Sequence, residues 1–449
     1  MRVVVLGGGI AGLSAAHGFR RAGDDVIVVE AAPEPGGLAG GFRDRGYTFD
    51  HFSHRLWTHD AEVVRLAEGW TGKPLLERRK ISRILLDGRL YNYPLDLRDL
   101  LGLRRLRVGV DALAGYLGAR LGRERAREAA DFRGYLTARI GAPLFDVFFG
   151  PYTQKLTGLS PETLASEMAR GAVPETGLLR QLASRLLGLG DEWERFLYPE
   201  GGFMTLPRGM ARALKNAGGQ ILLSHRLAAV NRAGGRITSV EIASPVGPVT
   251  LNADLVVSTV PIPALLAALR PMAPPALVEG ARRLRTRAMV VVYLGLRRER
   301  VSPDHWIYVP DPAVRFNRVS ETINYDPGMA PVGCTGLCAE IACDEDDAVW
   351  REPDGDQIAR VVRDLVSIGL LRATDPVELS SVRRFRGAYP LYTLDYSHDL
   401  AEVEDGLAAI GNLRLCGRQG AFWYGSTAQG IRQGLDLAGE IDVALPRAA

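Results

Sequence analysis

Apolar residues in this chain follow two rhythms. One is unbroken runs. Arg2-Val3-Val4-Val5-Leu6 is rich in β-branched residues, the pattern of a strand buried on both faces. A helical stretch from Leu13 to Arg21 follows, and Gly23 stops it. A second run, Val26-Ile27-Val28-Val29, ends in Glu30. Much later, Ala253-Asp254-Leu255-Val256-Val257-Ser258-Thr259-Val260-Pro261 predicts another parallel strand. Leu413-Arg414-Leu415-Cys416-Gly417-Arg418 predicts the last one, which turns through glycines into a helix from Gln429 to Val443.

The other rhythm is short alternating runs. Ile81–Leu86 and Arg89–Tyr93 flank Asp87-Gly88, a two-residue hairpin signal. Ile221-Leu222-Leu223, Ala228–Asn231, Arg236–Ala243 and Pro248–Leu251 predict a meander with glycines at its turns. Met289–Leu296, His305–Val309, Arg315–Ile323 and Thr335–Ala342 predict a largely antiparallel second sheet. A helix from Gln357 to Ile368 follows, N-capped near Asp354 or Asp356. Leu95 to Glu128 has helical leucine spacing with arginines between, and a further helical pattern runs to about Glu194. A packed helix with a solvated Arg face is favoured there over peripheral membrane contact. The division is then 1–80, 200–265 and 380–449 for a discontinuous nucleotide domain. Residues 81–94 and 266–379 form a substrate-binding sheet domain, and 95–199 a helical insertion.

The first two runs enclose Gly7-Gly8-Gly9-Ile10-Ala11-Gly12, a G-x-G-x-x-G sequence between strand and helix. In that setting Gly7 makes the tight turn, Gly9 admits a pyrophosphate to the backbone, and Gly12 lets helix and strand pack closely. Ile10 and Ala11 open the helix, whose free N–H groups and positive dipole end favour phosphate. Glu30, 18 residues after Gly12, stands where a carboxylate accepts from a ribose 2′-OH and repels a 2′-phosphate. The ligand is FAD or NAD rather than NADP. Gly36-Gly37-Leu38 adds a second backbone approach six residues beyond the acid. That spacing resembles FAD proteins of the glutathione-reductase type and favours FAD. The predicted fold is α/β: a glutathione-reductase-type FAD-binding Rossmann domain, a second antiparallel-sheet substrate domain and a helical insertion.

Composition narrows the classes. The 449 residues carry a net charge of +3, too mild to argue for nucleic acid. Only four of the 55 basic residues are Lys, and Arg suits phosphate and carboxylate recognition. Cys334, Cys338 and Cys343 lack a C-x2-C pair and read as buried thiols. His51, His54 and His59 lack ligand spacing, so no metal is expected. They read instead as a loop over a flavin ring, with His donating a hydrogen bond. No signal peptide or 18-residue apolar run is seen, and a cytoplasmic protein is expected. No hydrolase elbow, zinc helix motif or Walker loop occurs, so the chemistry belongs to the cofactor.

These motifs together resemble the FAD-dependent amine-oxidase superfamily, which includes protoporphyrinogen oxidases, phytoene desaturases and UDP-galactopyranose mutases. The closer resemblance is to the mutases. It lies in His54-Arg55-Leu56-Trp57-Thr58-His59-Asp60, Pro151-Tyr152-Thr153-Gln154-Lys155-Leu156, Phe316-Asn317-Arg318-Val319-Ser320-Glu321, Ala388-Tyr389-Pro390-Leu391, and Gly417-Arg418 with Tyr424. The resemblance implies a nucleotide-sugar or related phosphorylated sugar as substrate and a ring rearrangement via reduced flavin N5, with NAD(P)H as candidate reductant. Arg318 and Arg170 would grip the diphosphate, and Tyr389 and Tyr424 would hold phosphate oxygens. His54 would orient the flavin edge, while Tyr152 and Asn317 would line the substrate site. Gly417, Arg418 and Gln429 would complete the flavin cradle. Ser426-Thr427 stand where mutases carry Asp-Met, and Thr157 replaces a Trp. The alternative is a true oxidoreductase taking hydride from a C–OH, C–N or C–C bond. A non-catalytic binding module is disfavoured by the intact glycines.

Overall fold

The computed structural model describes residues 1–93, 129–169 and 195–444. The unbroken runs form a five-stranded parallel sheet in the order Leu413–Leu415, Leu255–Ser258, Arg2–Leu6, Asp25–Glu30, Gln220–Leu223. Both faces are covered, which is why the runs do not alternate. Val3, Val5, Val26, Val28 and Val257 pack under the helices Ile10–Arg21 and Thr427–Ala444. Val4, Leu6, Val29 and Val256 face the other way, onto Val230, Ile237, Val240 and Ile242. Those four belong to a second sheet of Arg226–Ala233, Arg236–Ala243, Val249–Asn252 and Leu269–Arg270. The result is helix, parallel sheet and meander in three layers.

The meander therefore differs from the sequence reading at one end. Gln220–Leu223 pairs parallel with Asp25–Glu30 and belongs to the nucleotide sheet. Its run is only four residues long, too short for pattern to separate the two assignments.

The third unit is a seven-stranded sheet. Its order is Val377–Pro390, Thr286–Leu296, Thr335–Cys343, Arg318–Glu321, Trp306–Tyr308, Ser82–Leu86, Arg89–Asn92. The hairpin turn is as expected, with Asp87 and Gly88 at φ of 48° and 72°. Val377–Pro390 pairs along Thr286–Leu296 and crosses the boundary drawn at 380. The back face is apolar: Val290, Val292, Leu294, Ile307, Val319, Ala339 and Ile341 pack with Val361 and Leu365 of the helix Asp354–Ser367. That helix has Pro353 at its N-cap; Asp354 and Asp356 sit in its first turn and favour the dipole instead. The patterns at Leu95 to Glu128 and toward Glu194 lie outside the described residues. Among those described, no helix is long and apolar enough to cross a membrane.

One buried carboxylate ties the strand Tyr47–Asp50 to the segment of residues 198–203. Asp50 ends the strand Tyr47–Asp50. Its Oδ1 accepts the Phe203 N–H at 2.7 Å and its Oδ2 accepts the Tyr198 hydroxyl. Burial pushes its pKa up to about 7, against the pull of its bonds to Tyr198 and Phe203. In the unfolded chain it titrates near 4. The folded protein thus binds the extra proton at this carboxyl, and the contribution of Asp50 to stability falls as pH rises between those values, by roughly 1.4 kcal/mol per pH unit, against the opposite trend of buried histidines. Asp50→Asn is expected to remove that slope. Urea titrations at pH 4.5, 6 and 7.5 check it; parallel slopes for both proteins would refute the assignment.

Candidate functional site

The loop at residues 7–9 leaves a defined space. Gly7, at φ 105°, packs so tightly that a Cβ there would meet the Thr259 Oγ1 at 2.1 Å. A Cβ on Gly12 would meet the Gly7 carbonyl oxygen at 2.1 Å, so that glycine sets how closely helix and strand pack. Gly9 is the opposite case: a Cβ there would meet nothing within 4 Å. The helix at Ile10 and Ala11 starts from Gly9 with no side-chain cap, so its first N–H groups point into that opening. The second glycine pair lies alongside. The Gly36 N–H donates to the Gly8 carbonyl at 2.8 Å, and a Cβ on Gly37 would meet the Gly9 Cα at 3.5 Å. Two backbone loops with bare glycines flank one uncapped helix start, a cradle that a pyrophosphate fits.

Glu30 closes one end of the cradle. Its Oε2 accepts the Gly8 N–H at 2.7 Å and its Oε1 the Ala32 N–H at 2.7 Å. Each oxygen keeps a lone pair for a ribose hydroxyl. At the other end His54 donates through Nε2 to the Leu38 carbonyl at 2.7 Å. That bond assigns the Nε2–H tautomer. The ring stacks on Phe203 at 5.2 Å, and burial pushes its pKa down to about 3. His51 contacts the Gly37 carbonyl at 3.1 Å through Nδ1, and burial pushes it down to about 4. Neither histidine is a proton donor at neutral pH. Gly417, at φ 78°, packs on Ala11. Gln429 departs from the reading: its side-chain oxygen takes the Ser426 N–H at 2.8 Å, and its own N–H goes to the Ser426 Oγ at 3.3 Å. It caps its own helix.

The front face of the seven-stranded sheet supplies the second wall. One register line crosses it: Ile84, Tyr308, Arg318, Glu340, Val291, Arg383. Arg318 and Glu340 are therefore direct cross-strand neighbours. They form a fork, Nε to Oε1 at 3.0 Å and Nη2 to Oε2 at 2.5 Å. Their side chains are 14% and 1% exposed. Burial pulls the Arg318 pKa down, but Glu340 outweighs it and holds the guanidinium charged. The sequence reading gave that fork to the substrate; its Nε edge is already taken.

The other residues converge here. Arg418 donates to the carbonyls of Ala388 and Gly425, and lies over the rings of Tyr389 and Tyr424 at 5.2 and 5.4 Å. The two rings are 5.6 Å apart. Tyr152, on the helix Gly150–Thr157, meets Tyr308 at 5.2 Å. Among the described residues the hydroxyls of Tyr308, Tyr389 and Tyr424 have no hydrogen-bond partner. Burial pushes the Tyr389 hydroxyl up to about 12, so it stays a donor. Asn317 is buried at the strand edge, its Oδ1 accepting the Ala342 N–H at 3.0 Å. Lys155 Nζ donates to the carbonyls of Val309, Asp311 and Phe316, tying the helix of Tyr152 to the segment that delivers Arg318. Arg170 lies outside the described residues. Sequence reasoning missed Glu340, although a lone acid in the apolar run Thr335–Cys343 is itself a signal. Trp306, Tyr308 and Arg383 were missed as well.

Comparison with known proteins agrees with this architecture. A family model for flavin containing amine oxidoreductases matches residues 10–442, and the chain belongs to that family. It is 27% identical over 282 residues to a phytoene dehydrogenase of Streptomyces griseus, covering 57% of this chain and 55% of that one. It is 24% identical over 262 residues to a lycopene-forming phytoene desaturase of Pantoea ananas, covering 53% and 52%. The chain thus spans about half the length of the curated relatives it matches. The crystal structure of a reduced UDP-galactopyranose mutase superposes with a TM-score of 0.83 at 19% identity, over 99% of this chain and 94% of that one. At that identity the likeness shows the fold alone. The protein is an FAD enzyme, and the cradle fits that cofactor.

Two substitutions test the two walls. Gly9→Val fills the pyrophosphate space without touching protein, so it is expected to fold yet purify colourless; full FAD occupancy would contradict the cradle. Arg318→Ala strands Glu340 and is expected to cost about 3–5 kcal/mol in urea unfolding, with Glu340→Gln milder. Equal stability of Arg318→Ala and wild type would mean the pair is not buried as described.

Proposed function

We propose that this flavoenzyme rearranges a nucleotide-linked sugar, in the manner of a galactopyranose mutase. The observation that carries the reading is the charge balance of the site. Among the described residues Arg55, Arg318 and Arg418 gather with the phenols of Tyr152, Tyr308, Tyr389 and Tyr424 near the carboxylate of Glu340, and that carboxylate is spent on Arg318. An excess of cations and protonated donors suits an oxygen-rich anion. It does not suit an apolar hydrocarbon, which leaves such groups unpaired.

Bound FAD supplies N5 as the reacting atom, nucleophilic when reduced and hydride-accepting when oxidised. Gly9, Ile10, Ala11, Glu30, Gly36, Gly37 and Gly417 would hold it. The chain's own groups then have one electrostatic task. When the sugar C1–O bond to the diphosphate breaks, the negative charge on the leaving oxygen is stabilised by guanidinium and phenol donors. When the bond re-forms, the same groups release it. Ring opening and re-closure also move a proton from one sugar oxygen to another, and among the described residues of the site no unengaged carboxylate or imidazole is placed to carry it. His54 and His51 are neutral and engaged with backbone carbonyls. Their part is to hold the Gly37–Leu38 backbone in place.

A second reading, hydride abstraction by an oxidoreductase, is favoured by the Arg318–Glu340 pair, which neutralises the central cation, and by the phytoene dehydrogenase likeness. Anaerobic spectroscopy separates the two. The expected result is that UDP- or TDP-sugars bind and isomerise only after dithionite reduction, with no external acceptor consumed. Substrate that bleaches the oxidised flavin would overturn the mutase reading in favour of hydride transfer.

A further inference from the structure

We propose that Arg55 is the residue that binds the substrate's anionic group, a phosphate or pyrophosphate, and that Arg318 is held back from that task by Glu340. The proposal rests on the reading of the site as one for a nucleotide-linked sugar, and assigns its central contact to a different arginine.

Three observations carry it. First, Arg318 has its Nε and one Nη2 donor on Glu340, whose Oε1 also accepts the Ser53 N–H at 3.1 Å. The pair is a closed unit of no net charge. Second, Arg418 donates to two backbone carbonyls through both terminal nitrogens, so its position is set by the chain. Third, Arg55 is half-buried, has its Cζ over the Trp306 ring at 4.6 Å, and has no carboxylate and no carbonyl partner among the described residues. Its charge acts on Tyr325 and Tyr424 together with that of Arg318, so both guanidiniums lie near the same two phenols.

The local fold explains why Arg55 is presented this way. Leu56 is anchored on both sides by backbone bonds with Leu197, at 2.9 and 2.8 Å, and is itself buried. Arg55, one residue earlier, must then point to the opposite side of the extended chain. There it meets Trp306, which is 1% exposed and fixed in the sheet beside Tyr308. A guanidinium held over an indole face uses none of its five N–H donors on that contact's charge attraction, which leaves them for an anion. A partly desolvated cation without a counter-ion is costly, and an incoming phosphate removes that cost. Tyr308 lies beside Trp306 at 6.3 Å, and among the described residues its hydroxyl and that of Tyr424 have no hydrogen-bond partner, so both can share the phosphate oxygens.

The test uses dithionite-reduced holoenzyme, wild type against Arg55→Gln and Arg55→Lys, titrated calorimetrically with UDP and with inorganic pyrophosphate. Arg55→Gln is expected to weaken both by about tenfold or more, the scale of a lost charge-assisted hydrogen bond. Arg55→Lys is expected to fall between, because it keeps the charge and loses the fork. FAD content and melting temperature report whether each variant is intact. If Arg55→Gln loses FAD, the Arg55→Lys comparison decides, and affinity equal to wild type overturns the proposal. Unchanged binding in an intact Arg55→Gln overturns it too, and leaves the nucleotide-sugar reading standing. Wild type that binds pyrophosphate but not UDP, with the loss in Arg55→Gln, supports the anion site and removes the nucleotide-sugar reading. Wild type that binds neither probe overturns both.

Discussion

Two opposite charges buried side by side on the seven-stranded sheet set the terms for the rest of the site. Removing a guanidinium and a carboxylate from water costs several kcal/mol each, and only close, saturated geometry offsets that. Here the geometry comes from strand register. Arg318 and Glu340 occupy paired positions on adjacent antiparallel strands, and the Ser53 N–H takes a further lone-pair site on Glu340. A slip of one residue would turn both charges into the apolar back face formed by Val319, Ala339 and Ile341. The ion pair and the hydrophobic layer therefore enforce the same register from opposite sides.

That constraint decides what each wall can contribute. The nucleotide layer offers bare backbone, at Gly9 and Gly36–Gly37, because only backbone can approach a pyrophosphate closely. The sheet offers side chains at alternate positions, because its back face is committed to the helix Asp354–Ser367. The segment of residues 51–56 joins the two. Its histidines bond to the carbonyls of Gly37 and Leu38, its Ser53 bonds to Glu340, and its Arg55 lies on Trp306. One short stretch thus touches cradle, ion pair and sheet.

The parts legible in the sequence are those with a local cause. Val3-Val4-Val5 reads as a two-sided strand because each residue is buried, and Asp87-Gly88 reads as a tight turn because both positions need positive φ. Arg318, Tyr389 and Tyr424 were found through short motifs. What the sequence hid is pairing. Val377–Pro390 carries Glu378, Arg383, Arg384 and Arg386, so its pattern looks like solvated surface. In the fold Arg384 is paired with Asp354 and Arg386 with Glu345, and the strand sits at the sheet edge where such charges are tolerated. Glu340 is likewise visible as a residue and invisible as a partner, since nothing local connects it to a position 22 residues earlier. Gln429 was read as a flavin contact because it opens a helix beside glycines, yet that same position makes it the natural cap for Ser426.

Under the proposed nucleotide-sugar reading, a site with a neutralised central arginine has to manage an anion. A free Arg318 would place full positive charge in the middle of the wall, where it would hold any anion strongly in both ground and transition states. Binding that is uniform along the reaction does not lower its barrier. With Arg318 balanced by Glu340, the proposed assignment shifts the attraction to Arg55 and to phenols that stay protonated at neutral pH. Neutral hydroxyl donors bind a weakly charged ester oxygen modestly and a departing phosphate oxygen strongly, because the bond strengthens with the acceptor's charge. A wall of phenols around a closed ion pair is thus better matched to charge that develops and recedes than to charge that is permanently present.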